Sequence, residues 1–446
     1  MKIVSRRINE IGQIITGNTP PTKQREYYGG PHKLIMPTDI VEGERFVPST
    51  IESLSEKGFL KYQKALLPPY TTCVVTIGTL GRKICLTLEE AFTNQAINAV
   101  IPFKDKYDPL FVFYLLKYNL PQVANLSSGT ASGRENVSKS SFGKITVNLV
   151  ESLADQKRIA SILSAYDELI ENNRRRIALL EEMAEELYKE WFVRLRFPGH
   201  ADAPWLDAAG NPCPAHSEGA LPEGWAVQKV GDAFDIVGGG TPSTSIDSFW
   251  DGEIDWYSPT DLTRGKGVFV FDSGRKITNA GLQGSSAKLL PPYTVLFTSR
   301  ATIGEVAITV KESCTNQGFI SCIPNESLPY TYLFQWLRIN KKLFENFSSG
   351  ATFMELSKGV FRTLNILTPE VSVIADYHDK AKLLLDEIKL LIQKNQVLQE
   401  TRDLLLPRLM SGKLALPEGK EYPLYPQGSS PVALQAAEPE HPYTRE

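Results

Sequence analysis

No apolar run in this 446-residue chain approaches the ~18 residues that a bilayer crossing needs, and none follows Met1, so neither a membrane span nor a secretory signal is expected. Cysteine is scarce: there are five, an odd number, with no Cys-x-x-Cys pair. That argues against a disulfide framework or zinc ribbon and for reduced thiols in the cytoplasm. The histidines (His32, His200, His216, His378 and His441) are scattered, without metal-ligand spacing and without a Ser or Cys partner at motif spacing. An excess of basic charge is also missing: Lys+Arg number 48 against 51 Asp+Glu, a formal charge of −3. Binding to nucleic acid by bulk charge is therefore excluded, and any contact with DNA has to come from local patches or from partners. What the chain does have is 42% apolar residues, enough for real cores, and a length suited to about three units of ~150 residues.

It also repeats itself. Gly17-Asn18-Thr19-Pro20 answers to Gly239-Gly240-Thr241-Pro242, and Pro37-Thr38-Asp39-Ile40 to Pro259-Thr260-Asp261-Leu262. Leu66-Leu67-Pro68-Pro69-Tyr70-Thr71 returns as Leu289-Leu290-Pro291-Pro292-Tyr293-Thr294, and Thr93-Asn94-Gln95 as Thr315-Asn316-Gln317. Asn125-Leu126-Ser127-Ser128-Gly129-Thr130 returns as Asn346-Phe347-Ser348-Ser349-Gly350-Ala351. Five matches in one order, at offsets of 221 to 223, mark a duplicated domain rather than a solenoid. The shared parts read as scaffold and the divergent parts as whatever each copy recognises. Within each copy, short β-type runs (Thr72–Ile77, Tyr293–Phe297) precede a short helical stretch (Leu110–Leu116, Tyr332–Leu337).

A long helix closes each copy. Ile159, Leu163, Tyr166, Ile170, Asn173, Ile177, Leu180, Ala184, Leu187 and Trp191 step by fours and threes, as do Ile374, Tyr377, Ala381, Leu384, Ile388, Leu391, Asn395, Leu398, Arg402 and Leu405. That is a coiled-coil seam, and each helix spans roughly 60 Å. Two readings stand for Asn173 and Asn395: buried amides that fix the pairing register, or a seam that is wet at those positions. The connector 197–224 could reach ~90 Å if extended, so a parallel return is sterically open. Its Pro-Gly content reads as a surface loop, which favours antiparallel pairing. Residues past Leu416, rich in Pro, Gly, Ser, Ala and Glu, read as a disordered tail.

The chemistry consists of near misses. Leu67-Pro68-Pro69-Tyr70 and its copy resemble the Asp/Asn-Pro-Pro-Tyr motif of adenine methyltransferases, but leucine accepts no hydrogen bond where the motif must hold the target amino group. A Pro-Pro turn into a strand is the better reading. Gly238-Gly239-Gly240 reads as a flexible loop, and Ser411-Gly412 as a helix C-cap. For binding, Asn94-Gln95 and Asn316-Gln317 carry amides suited to adenine edges, and Arg300 suits guanine or phosphate. Ser127, Ser128, Gly129 and Thr130, with Ser348, Ser349 and Gly350, offer hydroxyls and close backbone approach to phosphate. Arg134, Lys139, Lys358 and Arg362 lie just beyond them. The competing reading is that the Asn-Gln pairs, being common to both copies, satisfy the fold, since a shared feature discriminates bases poorly. Thr38-Asp39 and Thr260-Asp261 read as turn caps.

Leu221-Pro222-Glu223-Gly224-Trp225, Gly240-Thr241-Pro242-Ser243, the run Asp376 to Lys394 leading into Arg402-Asp403-Leu404-Leu405-Leu406-Pro407-Arg408-Leu409-Met410-Ser411-Gly412-Lys413-Leu414, and in copy one Asp155-Gln156-Lys157-Arg158-Ile159-Ala160 and Asn172-Asn173-Arg174-Arg175-Arg176-Ile177 together resemble the specificity subunit of type I restriction–modification enzymes. The resemblance covers nearly everything but the tail. It implies an α+β chain: target-recognition domain 1 (1–150), a central long helix (151–196), a linker (197–224), target-recognition domain 2 (225–370), a second long helix (371–412) and a tail (413–446), the two helices pairing as an antiparallel coiled coil. It implies no catalysis and no metal or cofactor on this chain. Two methyltransferase subunits would bring S-adenosylmethionine, and translocase–nuclease subunits ATP and magnesium, around double-stranded DNA. Each domain would read half of an interrupted site, with the helices setting the gap. A methyltransferase or fused restriction enzyme, and a non-DNA scaffold of paired lectin-like domains, are the alternatives.

Overall fold

The computed structural model describes residues 1–126, 136–265, 267–300, 302–349 and 354–416. Ser127, Ser128, Gly129, Thr130, Arg134 and Gly350 lie outside the described residues, as does the tail beyond Leu416. Strands and helices are mixed in two compact units, residues 1–172 with 395–446 and residues 173–394. Each unit holds one globular head together with parts of both long helices.

In unit 1 the strands Gly12–Thr16, Ile97–Pro102, Thr72–Val75 and Ile84–Leu86 form an antiparallel four-stranded sheet in that order. A second sheet places Tyr28–Ile35 between Glu52–Leu54 and Phe92–Thr93. The first strand, Ile3–Arg7, pairs with Thr146–Val150 and closes the head where the long helix begins. The helix Pro109–Tyr118 is apolar along most of its length and buried from Pro109 to Leu116, consistent with a helix covered on nearly all sides.

Unit 2 repeats this plan. Its main sheet runs Asp235–Gly238, Phe319–Ile323, Val295–Thr298, Val306–Thr309, Phe269–Val270. Its small sheet places Trp250–Tyr257 between Arg275–Ile277 and Ser313–Thr315, and Ala226–Lys229 closes the head on Asn365–Thr368. The Pro-Pro-Tyr turns share their main features. Tyr70 and Tyr293 have φ of 63° and 64°, a left-handed conformation uncommon outside glycine. Each backbone N–H donates at 2.8 Å to a threonine carbonyl at the end of a strand, Thr87 or Thr309. The next threonine, Thr71 or Thr294, donates its hydroxyl to Pro68 or Pro291 at 2.7 Å. Both turns lead into a core strand, as the sequence indicates. Asp39 and Asp261 cap their turns by accepting from the Met36 and Ser258 N–H groups at 2.8 and 2.7 Å.

The long helices are Leu153–Tyr188 and Val371–Met410. Gly412, at φ 69°, ends the second in the left-handed cap expected of it. The first is shorter than the expected 151–196. After Tyr188 it loosens into a π turn, Lys189–Val193, in which the adjacent Trp191 and Phe192 are both buried, Phe192 packing 4.8 Å from Tyr377 and 4.9 Å from Tyr332. A regular α-turn would aim those neighbouring rings about 100° apart. The linker 197–224 is not the plain loop expected either. Trp205–Leu206 pairs with Leu221–Pro222 over a buried Trp205.

Pairing is antiparallel within each unit. In unit 1 Asp167 meets Arg402 while Ile170 meets Asn395; in unit 2 Arg176 meets Glu387 while Tyr188 meets Tyr377. One number rises as the other falls. Asn173 and Asn395 are both 8% exposed, and the Asn395 amide donates to the Ile170 carbonyl at 3.5 Å, so neither faces water.

The two units hold their helices differently. In unit 1 Asp167 accepts from the Tyr114 hydroxyl at 2.5 Å and pairs with Arg402, the two charged side chains being 5% and 3% exposed. Arg45 forks onto Glu171 at 3.1 and 2.9 Å. Burial works against the Arg402 charge, and Asp167 overrides it and holds the guanidinium more firmly protonated than usual. Burial and the nearby Arg402 push the Lys117 ammonium the other way, below its ordinary pKa. Unit 2 has no such buried ion pair among its described residues. Tyr188, Trp191, Phe192, Tyr332 and Tyr377 form an aromatic cluster there instead.

Candidate nucleic-acid interface

The repeated anchors meet at one knot in each head. Gly17 passes so near the Thr93 carbonyl that a Cβ would sit 2.1 Å from its oxygen, and Gly239 so near Asn316 that the figure is 2.0 Å. Only glycine fits at either place. The following N–H groups, Asn18 and Gly240, donate to the Thr93 and Thr315 carbonyls, both at 2.9 Å. The glycine run at 238–240 is thus clamped rather than flexible. Thr19 donates its hydroxyl to the Gln95 side-chain carbonyl, and Thr241 to that of Gln317 at 2.6 Å, a separation of 76 residues in both. Asn94 and Asn316 accept from the N–H two residues on, Ala96 at 3.0 Å and Gly318 at 2.8 Å.

These asparagine amides brace their own turns, and the glutamine carbonyls tie strand to loop. This is the scaffold role that recurrence in both copies suggests. The glutamine NH2 groups make no hydrogen bond among the described residues, and both side chains are exposed. Gln95→Ala should therefore lower stability by about 1 kcal/mol, the worth of an ordinary hydrogen bond, and leave the preferred DNA sequence as it was. Urea melts and a binding-site selection on the variant check both halves; an altered sequence preference would show that Gln95 reads bases.

In head 2 the structure brings Arg300 and Ser349 together through a residue the sequence reading missed. Arg300 Nε pairs with Glu355 at 2.8 Å, while Ser349 and Glu355 exchange backbone hydrogen bonds at 3.0 and 2.9 Å. Arg300 and Glu355 are 50% and 42% exposed, and a pair so wet contributes under about 1 kcal/mol. A phosphate can therefore displace the carboxylate from Arg300 at little cost. Ser348 spends its hydroxyl on the Glu345 carbonyl and is no free donor. Leu356 N–H reaches the Ser299 carbonyl at 3.0 Å, just as Val137 reaches Thr76 at 2.9 Å in head 1.

Lys139 and Lys358 open two short matching helices, Lys139–Lys144 and Lys358–Thr363, whose N-caps Ser138 and Ser357 accept from Ser141 and Val360 at 3.1 and 3.2 Å. Arg362 lies on the second, its Cβ 3.1 Å from where a Cβ on Gly231 would be. Lys139, Lys358 and Arg362 are exposed. The candidates thus fall into separate places: the Asn-Gln pairs in the knots, Arg300 with Ser349, and the cations on the capped helices. Asn173 and Asn395 lie in the helices, away from all of these. Among the described residues no group of three or more His, Cys, Asp or Glu could hold a metal ion, and no helix is long and apolar enough to cross a membrane.

Comparison with known proteins agrees with this doubled architecture. The family model for the type I restriction modification DNA specificity domain matches residues 2–182 and again 222–400. The chain is 25% identical over 422 residues to the MjaIX specificity subunit of Methanocaldococcus jannaschii, covering 93% of this chain and 94% of that one. It is 26% identical over 368 residues to the HindI specificity subunit of Haemophilus influenzae, covering 69% and 77%. Its fold is like that of the crystallised type I S subunit from M. genitalium, with a TM-score of 0.54 at 15% identity, covering 94% of this chain and 97% of that one. With two matched domains of one family on a shared frame, the chain belongs to the type I restriction–modification DNA specificity family and serves in DNA sequence recognition rather than in catalysis.

Proposed function

We propose that this chain reads an interrupted, asymmetric DNA site, one head to each half, with the paired helices setting the gap. The observation that carries this reading is the identity of the two frames set against the difference of their surfaces. The knots and Pro-Pro-Tyr turns recur, and of the cations around them Lys139 recurs as Lys358, while Arg300 answers to Ile77 and Arg362 to Gly143 in head 1. Duplex DNA presents two features at a fixed spacing, and two unlike heads on one frame suit two unlike half-sites. Domain boundaries for this reading are 1–150 and 225–370.

Partners follow from surfaces of each unit. Unit 1 leaves Leu169, Val397 and Leu404 exposed on its helical part, and unit 2 leaves Leu179, Met183, Leu383 and Leu390. Val397 with Leu404 and Leu383 with Leu390 are each seven residues apart and so share a helix face; exposed apolar faces mark docking surfaces, and we assign one methyltransferase subunit to each unit. S-adenosylmethionine, ATP and magnesium belong in this reading to the methyltransferase and translocase subunits of a cytoplasmic complex.

The test is selection from a random duplex pool by the purified chain together with its methyltransferase partner. An enriched two-part sequence is expected. Exchanging residues 225–370 for the matching part of a relative should change one half only. No enrichment, or loss of preference in both halves after the exchange, would overturn the proposal.

A further inference from the structure

Beside the strand Gly12–Thr16 of head 1 lies an open groove of about 770 Å³. Asn9, Gln13, Phe103, Lys139, Ser140 and Lys144 line it, and no carboxylate does. Phe103 is 44% exposed, and the two amides and both lysines are exposed as well. Neither lysine meets a carboxylate among the described residues, unlike Lys33, Lys57 or Lys189, which all do. The groove is open because position 143 is glycine. A Cβ there would lie 3.0 Å from Ile14 Cδ1 and 3.4 Å from Asn9 Cβ.

The matching part of head 2 carries different side chains. Ile8 N–H donates to Ile145 at 3.0 Å and Val230 N–H to Leu364 at 2.9 Å, which aligns Asn9 with Gly231 and Gly143 with Arg362. Arg362 fills the space, its Cβ and Cγ 3.1 and 3.2 Å from a Cβ on Gly231. Gln13 pairs with Ile101 and Asp235 with Ile323, so an acidic residue replaces the amide. One frame therefore carries two lysines, two amides and an aromatic ring in head 1, whereas head 2 has Lys358 and Arg362 with a carboxylate and a glycine where the two amides stand. An anionic ligand with polar edges and flat faces suits the first set.

We propose that this groove takes one strand of the half-site read by head 1, with Lys139 and Lys144 on its phosphates and Asn9 and Gln13 on its base edges. The proposal rests on the reading of the chain as a DNA-recognition subunit. Lysines meet phosphate without sequence preference, whereas amides offer paired donors and acceptors that discriminate. Head 2 must hold its own half-site by different contacts.

The experiment uses the full chain with its methyltransferase partner and a duplex carrying the selected site. For the Lys139→Gln, Lys144→Gln double variant, the slope of log affinity against log salt should shrink by about 1.8, since each lost phosphate contact removes ~0.9. Between 50 and 200 mM salt the variant should thus lose about twelvefold less affinity than wild type. Gly143→Leu, which fills the groove without adding a cation, should weaken protection of the half-site read by head 1, and Asn9→Ala with Gln13→Ala should relax preference in that half alone. An unchanged slope in a variant with unchanged melting overturns the proposal. So does weakened binding of the methyltransferase subunit with an unchanged slope, which would make the groove a protein contact. Failure of the wild-type complex to enrich any sequence would instead bring down the underlying DNA reading.

Discussion

Replacing Arg402 with leucine should destabilise unit 1 by about 3–5 kcal/mol, the cost of leaving one partner of a buried ion pair unpaired. Asp167 would be left 5% exposed, with the Tyr114 hydroxyl and the nearby charges of Arg45 and Lys117 to answer it less directly. The double variant Asp167→Leu, Arg402→Leu should recover most of the loss, because two apolar side chains need no desolvation of charge. The readout can be made specific to one unit. All six tryptophans (Trp191, Trp205, Trp225, Trp250, Trp256 and Trp336) fall in residues 173–394. Tryptophan emission therefore follows unit 2, while far-UV circular dichroism follows both. In Arg402→Leu the dichroism transition should move to lower urea and split from the emission transition, which should stay in place. Coincident, unmoved transitions would show that the pair carries no net stability.

This ion pair also shows where the sequence stops being legible. The seam positions could be counted because apolar residues recur at 3.5-residue spacing, and Arg402 takes its place on that list. Its partner Asp167 stands one residue off the stripe, and the Tyr114 hydroxyl that completes the site comes from a helix 53 residues away. Periodicity carries no information about such a meeting. The duplication was legible because anchors such as Gly17 and Gly239 answer to hard steric limits that spare no other residue. Thr19 with Gln95 repeats at the same separation as Thr241 with Gln317, so that contact was present in the repeat as a signal, although its role was not. Glu355 was not legible because its neighbours Ser357-Lys358 and Phe361 repeat Ser138-Lys139 and Phe142 while Glu355 itself answers to Asn136, so the acidic residue is not part of the repeat. The groove in head 1 depends on glycine at 143 against arginine at 362, a difference that means something only once the two backbones are matched. The end of the first long helix was misplaced because adjacent Trp191 and Phe192 look like an ordinary continuation until both are seen buried.

Lengthening both long helices by one heptad, after Asn172 in the first and after Lys394 in the second, is expected to widen the gap between the proposed half-sites by about three base pairs. Seven residues add roughly 10.5 Å of helix, and a base step occupies about 3.4 Å. A heptad brings the apolar seam back to nearly the same face, so Asp167 with Arg402 and Arg176 with Glu387 can still pair, each within its own unit. The half-site sequences should be unchanged, because no residue of either head is touched. Three base pairs also turn the duplex by about 100° at ~10.5 per turn, and the heptad supplies no matching rotation. Affinity should therefore fall even at the new best spacing, with the twist taken up by the DNA. Selection from a library of both half-sites at every gap length reads spacing and affinity together. Insertion of five residues instead of seven turns the seam by about 140°, away from its partner, and should abolish selection at any gap. Insertion of seven in one helix alone sets the two ladders of contacts seven residues out of step, and should destabilise the chain without producing a new preferred spacing. If the doubly lengthened chain still chose the original gap, the helices would not be what measures it.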